Sequence, residues 1–175
     1  MHEKAHVANL LGASALALTD LALGGAARAV GVTTSGAAAL VSLAATDGLG
    51  VSEVGRRVGL SQPAASRLVD GLEADGLVER RPNPYGGRWM IVHVTDAGRE
   101  AARRLLAARG DPLAEVVDGL GAGERQALGD LLEKLLTGLY ARSGRARYIC
   151  RMCDRDACLT GPAECPVGAA ERAAR

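Results

Sequence analysis

Residues 51–81, VSEVGRRVGLSQPAASRLVDGLEADGLVERR, decide the fold. They predict two short helices in succession, the first capped by Ser52 and the second by Ser61. Gly59 ends the first helix, and Pro63 lies in the first turn of the second, where its missing N–H loses no hydrogen bond. Apolar residues then recur at helical spacing through the second helix. Two short helices joined by a tight turn predict a helix–turn–helix unit.

The spacing of apolar residues changes from helical to alternating in residues 77–95, LVERRPNPYGGRWMIVHVT. Met90, Val92 and Val94 fall on one side of this alternation, which is typical of a half-buried strand. Prolines and a pair of glycines mark the tip of a hairpin between the two apolar runs. A helix–turn–helix followed by a two-stranded hairpin is a winged helix–turn–helix.

The rest of the sequence is predominantly helical. Hydrophobic residues make up 48% of the 175 residues and aromatic residues only 2%, so the core must be built from Ala, Leu and Val. Long helices are predicted on both sides of the winged unit, and Thr95 caps the one that follows it. The leucines of residues 124–144 spread too widely for one covered face, which indicates burial against a partner helix. The predicted fold class is mainly α with a small β-wing.

The apolar stretch near the N-terminus, about residues 4–30, predicts a buried or interface helix. Asp20 and Arg28 interrupt it, and its start lacks the basic region of a secretory signal. We therefore expect a cytoplasmic protein that has no membrane partner. Cysteines in that compartment stay reduced, so a cysteine cluster favours a metal or redox site over a disulfide.

The second helix of the unit would enter the major groove of DNA, with the wing beside it. Glutamine can pair with adenine edges, arginine with guanine edges or phosphate, and serine with phosphate or either base. Arginines on a wing suit a narrow minor groove, and a small glycine-rich tip lets the backbone approach DNA closely. The candidate DNA contacts are Arg56, Arg57, Ser61, Gln62, Ala64, Ser66, Arg67, Arg80, Arg81, Tyr85 and Arg88.

The same arginines have a structural alternative. Arg67 could pair with Asp70 on its own helix, and Arg80 and Arg81 could be solvated surface charges. The net charge of +1 does not decide between the two. The arrangement of the whole set over helix and wing favours DNA binding. The sequence carries no Walker loop, dinucleotide fingerprint or Ser/His/Asp arrangement, so we predict no enzyme.

The chain resembles the MarR family of bacterial transcription regulators over about residues 5–142. The stretches LSQPAASRLVDGLEADGLVERR and VTDAGRE carry the resemblance most specifically. It implies a homodimer with intertwined N- and C-terminal helices. It also implies a repressor that binds a pseudo-palindromic operator in double-stranded DNA. Such a repressor releases the operator when a small-molecule effector binds or a cysteine is oxidised.

On the matching motif, Ser61, Gln62, Ser66 and Arg67 take the recognition positions, and Arg88 is the wing-tip arginine. The chain departs from the family at Gly86, where an Asp usually orients that arginine. Tyr85, next to the tip, could contact the sugar-phosphate backbone instead.

All four cysteines lie near the C-terminus, in YICRMCDRDACLTGPAECPVG, residues 148–168. The Cys-x2-Cys pair, Cys150 and Cys153, can offer two thiolates to one metal from a single turn. Cys158 and Cys165 would complete a four-thiolate shell, which suits Zn²⁺ and a 4Fe–4S cluster alike, with zinc slightly preferred. A thiol–disulfide switch and free thiols are the alternatives.

The predicted organisation, in chain order, is an N-terminal dimerisation helix (1–34), a winged helix–turn–helix DNA-binding domain (35–95), C-terminal dimerisation helices (96–144) and a four-cysteine metal-binding tail (145–175). The predicted function is a homodimeric repressor whose metal or iron–sulfur centre stabilises the dimer or senses redox or metal state. If the centre is a cluster, its loss or oxidation would reposition the last helix, tilt the two winged units apart and weaken operator binding. Two alternatives are a redox or metal carrier that uses the winged unit for protein contacts, and a regulator controlled by a small molecule with a purely structural zinc.

Overall fold

The computed structural model describes residues 2–84, 86, 89–159 and 164–175. It is mostly helical with one small sheet, which confirms the predicted fold class. The elements in chain order are α1 (His2–Val30), α2 (Thr34–Ala44), β1 (Leu49–Gly50), α3 (Val51–Val58), α4 (Gln62–Ala74), β2 (Val78–Pro82), β3 (Met90–Val94), α5 (Asp96–Asp118), α6 (Ala122–Ser143), α7 (Ala146–Ile149), α8 (Arg155–Leu159) and α9 (Pro166–Ala173).

The helix–turn–helix is formed by α3 and α4, as predicted. Gly59 ends α3 with φ of 76°, a left-handed conformation that favours glycine, and its N–H donates to the carbonyl of Gly55. A Cβ on Gly55 would lie 3.0 Å from the carbonyl oxygen of Leu60 and 3.0 Å from Cβ of Ala65. The two helices therefore cross at a distance that glycine at position 55 makes possible.

The sheet is antiparallel with strand order β1-β3-β2. The predicted hairpin is confirmed, and its register pairs Val78 with Val94 and Pro82 with Met90. The third strand, β1, was not predicted, and it draws Gly50 into the N-cap position of α3. The prediction that Ser52 caps this helix is therefore wrong. Ser61 does occupy the N-cap position of α4, although no side-chain hydrogen bond caps that helix among the described residues.

The core is built on α2, whose residues from Gly36 to Leu43 are all buried. Buried residues from α1, α3, α4, the sheet and α5 surround it. The hydroxyl of Thr95 fixes the start of α5, because it accepts a hydrogen bond from the N–H of Gly98 (3.0 Å) and donates one to the carbonyl of Gly76 (2.8 Å). The predicted cap at Thr95 is confirmed, and it ties α5 to the loop that follows α4.

Two long helices present apolar side chains to solvent. In α1 the residues before Ala22 are exposed, among them Val7, Leu10 and Leu16. By length and composition α1 could also cross a membrane. Every residue of α6 is exposed or half-buried, and its exposed leucines are Leu131, Leu132, Leu135 and Leu139.

Candidate nucleic-acid interface and thiol cluster

The N-terminal turns of α4 present a polar face. Ser61, Gln62 and Arg67 are exposed, and Ala64 and Ser66 are half-buried. Ala65, Val69 and Leu72 on the opposite face are buried in the core, which fixes the rotation of the helix. The N-terminus of a helix also carries a partial positive charge that favours a phosphate. This face carries exposed polar side chains of the kind that can bond base edges and phosphates.

Arg67 has no ion-pair partner among the described residues, and Asp70 pairs instead with Arg80. The Arg80 guanidinium lies 2.5 Å from Asp70 and also bonds Glu73, whose other carboxylate oxygen accepts the Arg80 backbone N–H at 3.0 Å. Arg80 thus ties strand β2 to the second half of α4. Its role in the structure is to join the wing to the recognition helix, while Arg67 stays available for a ligand.

The two arginines of α3 differ. Arg56 is exposed, with its guanidinium 2.5 Å from Glu53. The side chain of Arg57 is only 8% exposed, and its Nε donates to the Glu53 carboxylate at 2.9 Å. The prediction that Arg57 contacts phosphate does not fit this placement, because the group is buried and already paired.

The wing is described on both sides of its tip. Arg81 is exposed and pairs with Glu79, and Tyr85 and Arg88 lie outside the described residues. Gly86 has φ of 87°, a conformation that favours glycine and is consistent with the departure from the usual Asp. Its carbonyl accepts hydrogen bonds from Asn83 Nδ2 at 2.9 Å and Trp89 Nε1 at 3.0 Å. Sequence reasoning missed both of these side chains, since only folding brings them to one carbonyl.

The four cysteines converge. Cys150 follows α7, Cys153 lies in the next turn, Cys158 lies in α8, and Cys165 caps α9 with its Sγ accepting the Gly168 N–H at 3.4 Å. All four are free, half-buried thiols that line one cavity of about 350 Å³. Arginines line the same cavity, namely Arg57, Arg147, Arg155 and Arg172.

The thiols perturb one another. Burial, with the nearby charge of Cys165, raises the pKa of Cys150 to about 11. Burial and the neighbouring Cys153 likewise raise the pKa of Cys158 to about 11. Burial also raises the pKa of Cys153, while a hydrogen bond with Cys158 opposes that shift. These effects require the four sulfur atoms to be close neighbours.

The four thiols are suitable metal ligands, but their sulfur atoms are not arranged in the coordination geometry of a bound metal. Among the residues that the structure describes, no group of three or more His, Cys, Asp or Glu side chains is already arranged to hold a metal ion. Four converging thiols beside arginines that could offset their charge nevertheless suit Zn²⁺ or an iron–sulfur cluster. The structure thus gathers the donors, and a bound metal would have to draw them into a tetrahedral shell.

Comparison with known proteins gives a consistent picture. The sequence model of the MarR family matches residues 30–88. An uncharacterized HTH-type transcriptional regulator of Mycobacterium bovis, Mb0904, is 30% identical over 105 residues, which cover 60% of this chain and 73% of that protein. The transcriptional repressor MprA of Escherichia coli is 31% identical over 88 residues, 50% of each chain.

A solved structure of a MarR family regulator has a similar fold. Sco3205, a MarR family transcriptional regulator from Streptomyces coelicolor solved in complex with DNA, superposes with a TM-score of 0.63 at 25% identity. The superposition covers 79% of this chain and 89% of that one. The four-cysteine tail lies beyond the residues that the family model matches.

Replacing Arg80 with Ala should destabilise the winged unit, because it leaves Asp70 and Glu73 without their shared partner. The Arg80 side chain is only 21% exposed, but Asp70 and Glu73 are 58% and 38% exposed, so we expect the free energy of unfolding to fall by about 0.5–1.5 kcal/mol in urea denaturation. The neighbouring Arg81→Ala is the matched control. That side chain is 60% exposed, and its loss should change stability by about 0.5 kcal/mol or less. Equal effects of the two substitutions would contradict the role given to Arg80.

Proposed function

We propose that this chain, which belongs to the MarR family of transcription regulators, binds a pseudo-palindromic DNA operator as a homodimer and represses transcription. The observation that carries the proposal is the exposed polar face of α4, with Arg67 left without an ion-pair partner among the described residues. An exposed arginine on the first turns of a recognition helix is the commonest reader of guanine. The alternative role of Arg67, an ion pair with Asp70, is not seen in the structure, because Asp70 bonds Arg80.

Each remaining contact has a role that its placement supports. Gln62 would read an adenine edge, and Ser61 and Ser66 would bind phosphate or a base edge. Arg56 and Arg81 are exposed and would bind phosphate, after exchanging weak surface ion pairs for the DNA. The contacts predicted for Tyr85 and Arg88 stay predictions from the sequence.

A homodimer is supported by the apolar surface that one chain leaves exposed. The first half of α1 and the leucines of α6 form surfaces that a soluble monomer rarely presents to water. A second copy can cover both by two-fold symmetry, since the same patch then serves each subunit. Such a dimer would present two α4 helices to two half-sites of an operator. We therefore interpret α1 as an interface helix of a cytoplasmic protein rather than a membrane span.

Repression is the direction that the similarity to the MprA repressor favours. A dimer bound over a promoter occupies DNA that the transcription machinery needs. Release would then require a signal, and the chain carries a candidate sensor in its own tail. Control by a small-molecule effector remains an alternative implied by the family.

The tail is proposed to hold one metal centre per chain. Cys150, Cys153, Cys158 and Cys165 would supply four thiolates, and the charge of Arg155 partly opposes the burial that raises the pKa of Cys150. Zn²⁺ in such a shell would be structural, whereas an iron–sulfur cluster would add redox sensitivity. Zinc is slightly preferred, although both groups use shells of four cysteines.

Arg67→Ala should weaken binding to the promoter region of the gene that encodes the chain by about five- to 150-fold, because a base contact is lost. Fluorescence anisotropy with a labelled DNA fragment measures the change, and affinity should fall as salt rises. Arg103→Ala, which removes an equal charge from an exposed site on α5, is the control and should change affinity by less than about twofold. A DNA affinity that changes neither with salt concentration nor with the Arg67→Ala substitution would favour the carrier alternative.

Leu135→Glu should convert the protein to a monomer, because it places a charge in the middle of the exposed α6 leucines. Sedimentation velocity reports the mass directly. Met90→Glu, an equally drastic change at an exposed apolar side chain of the wing, should leave the dimer intact. A wild-type chain that sediments as a monomer would refute the dimer.

The reduced, metal-free chain should take up one Co²⁺ and show the sulfur-to-metal absorption of a tetrahedral thiolate site. Cys153→Ser should abolish stoichiometric uptake. Asp154→Asn is the control, because Asp154 Oδ1 accepts the N–H groups of Asp156 and Ala157, a role that the amide oxygen can keep. Elemental analysis of protein purified without oxygen then separates zinc from iron, and uptake that survives loss of Cys153 would refute the four-cysteine site.

A further inference from the structure

Tyr148 joins the cysteine tail to the turn of the helix–turn–helix. Its ring lies against Gly59, where a Cβ would approach Tyr148 Cε2 to 2.7 Å. Gly59 is the left-handed residue that ends α3, so the ring packs on backbone at the point where the chain turns toward α4. Glycine at this position serves the turn and the contact together.

The tail holds this ring by cation–π contacts. The guanidinium carbons of Arg145 and Arg151 lie 4.3 and 4.0 Å from the centroid of the Tyr148 ring. Arg151 also donates from Nη1 to the Tyr148 carbonyl at 2.7 Å. Because Arg151 lies between Cys150 and Cys153, the loop that would bind the metal also positions the ring.

The same loop is anchored in the core of the winged unit. Met152 is only 8% exposed and belongs to the core cluster. The Ser42 hydroxyl of α2 donates to the Arg151 carbonyl at 3.4 Å, and Arg155 Nη1 donates to the Ala45 carbonyl at 3.4 Å. The Cys150–Cys153 loop therefore contacts α2 directly, and Tyr148, which the loop positions, contacts the end of α3 in the same chain.

Charge reinforces the contact between the tail and α3. Arg147 of α7 lies 3.8 Å from the Glu53 carboxylate, the group that also binds the buried Arg57. Both arginines line the cavity of the four thiols. The Glu53 carboxylate of α3 thus contacts one arginine of its own helix and one arginine of the tail.

We propose that metal occupancy of the four cysteines sets the position of α3 through the contact between Tyr148 and Gly59, so that the loaded tail strengthens DNA binding by α4 of the same chain. This inference rests on the proposed metal centre. Closing the thiolate shell fixes the Cys150–Cys153 loop, and with it Arg151 and the ring. A fixed α3 fixes α4 across the Gly55 crossing, which reduces the ordering that DNA binding would otherwise require.

The test compares the Zn²⁺-loaded chain with the reduced, metal-free chain by hydrogen exchange over residues 51–59. Loading should protect these amides in the wild-type chain and tighten binding to the promoter fragment by about tenfold. Tyr148→Ala should take up Co²⁺ as the wild type does, yet lose the protection, with its DNA affinity changing by less than about twofold on loading. Tyr148→Phe keeps the ring and should restore both responses.

The outcomes separate the coupling from the centre on which it rests. A wild-type chain that takes up no Co²⁺, and that contains neither zinc nor iron when purified without oxygen, refutes the metal centre and the coupling together. A chain that takes up Co²⁺ but shows the same exchange in α3 with and without metal overturns the coupling alone. A full metal response in Tyr148→Ala also overturns it, because the effect would then travel by another contact, such as the packing of α9 on α6.

Discussion

The fold depends on how closely the backbones of α3 and α4 approach one another. A side chain at Gly55 would meet Leu60 and Ala65 at 3.0 Å, and the left-handed turn at Gly59 directs the chain into α4. The buried face of α4 then leaves Gln62 and Arg67 in solvent. The same turn also offers a bare patch of backbone to Tyr148. The recognition surface and the docking of the tail thus follow from glycines placed within five residues of each other.

A core almost without aromatic residues has consequences for the outer helices. Alanine, leucine and valine fill α2 and its surroundings, and small side chains of this kind let helices approach one another closely. The longer apolar stretches of α1 and α6 find too little surface within one chain to cover them. In the proposed homodimer, a second copy would cover these exposed leucines and valines, and the resulting two-fold symmetry would match a pseudo-palindromic operator.

The sequence predicts the helix–turn–helix, the hairpin and the Thr95 cap because each has a local signature of caps, turn residues and period. It does not predict β1, since two residues carry no period and Leu49–Gly50 forms a strand only by pairing with β3. It does not settle which charged partners the arginines take. Asp70, a possible partner for Arg67 three residues away, bonds Arg80 instead, and Arg57 turns inward to Glu53. Such partners depend on the tertiary arrangement, which charge patterns alone do not reveal.

The contacts of the cysteine tail also could not be predicted from its position in the sequence. The cysteines directly follow α6, so sequence order suggests that their centre acts on a dimer helix. In the structure α9 does pack on α6, but the Cys150–Cys153 loop is fastened to α2 and faces α3. Under the proposed coupling, a signal at these thiols would reach α4 of its own chain through a few contacts. That route needs no rotation of one subunit against the other, because α3, α4 and the loop belong to one packed unit.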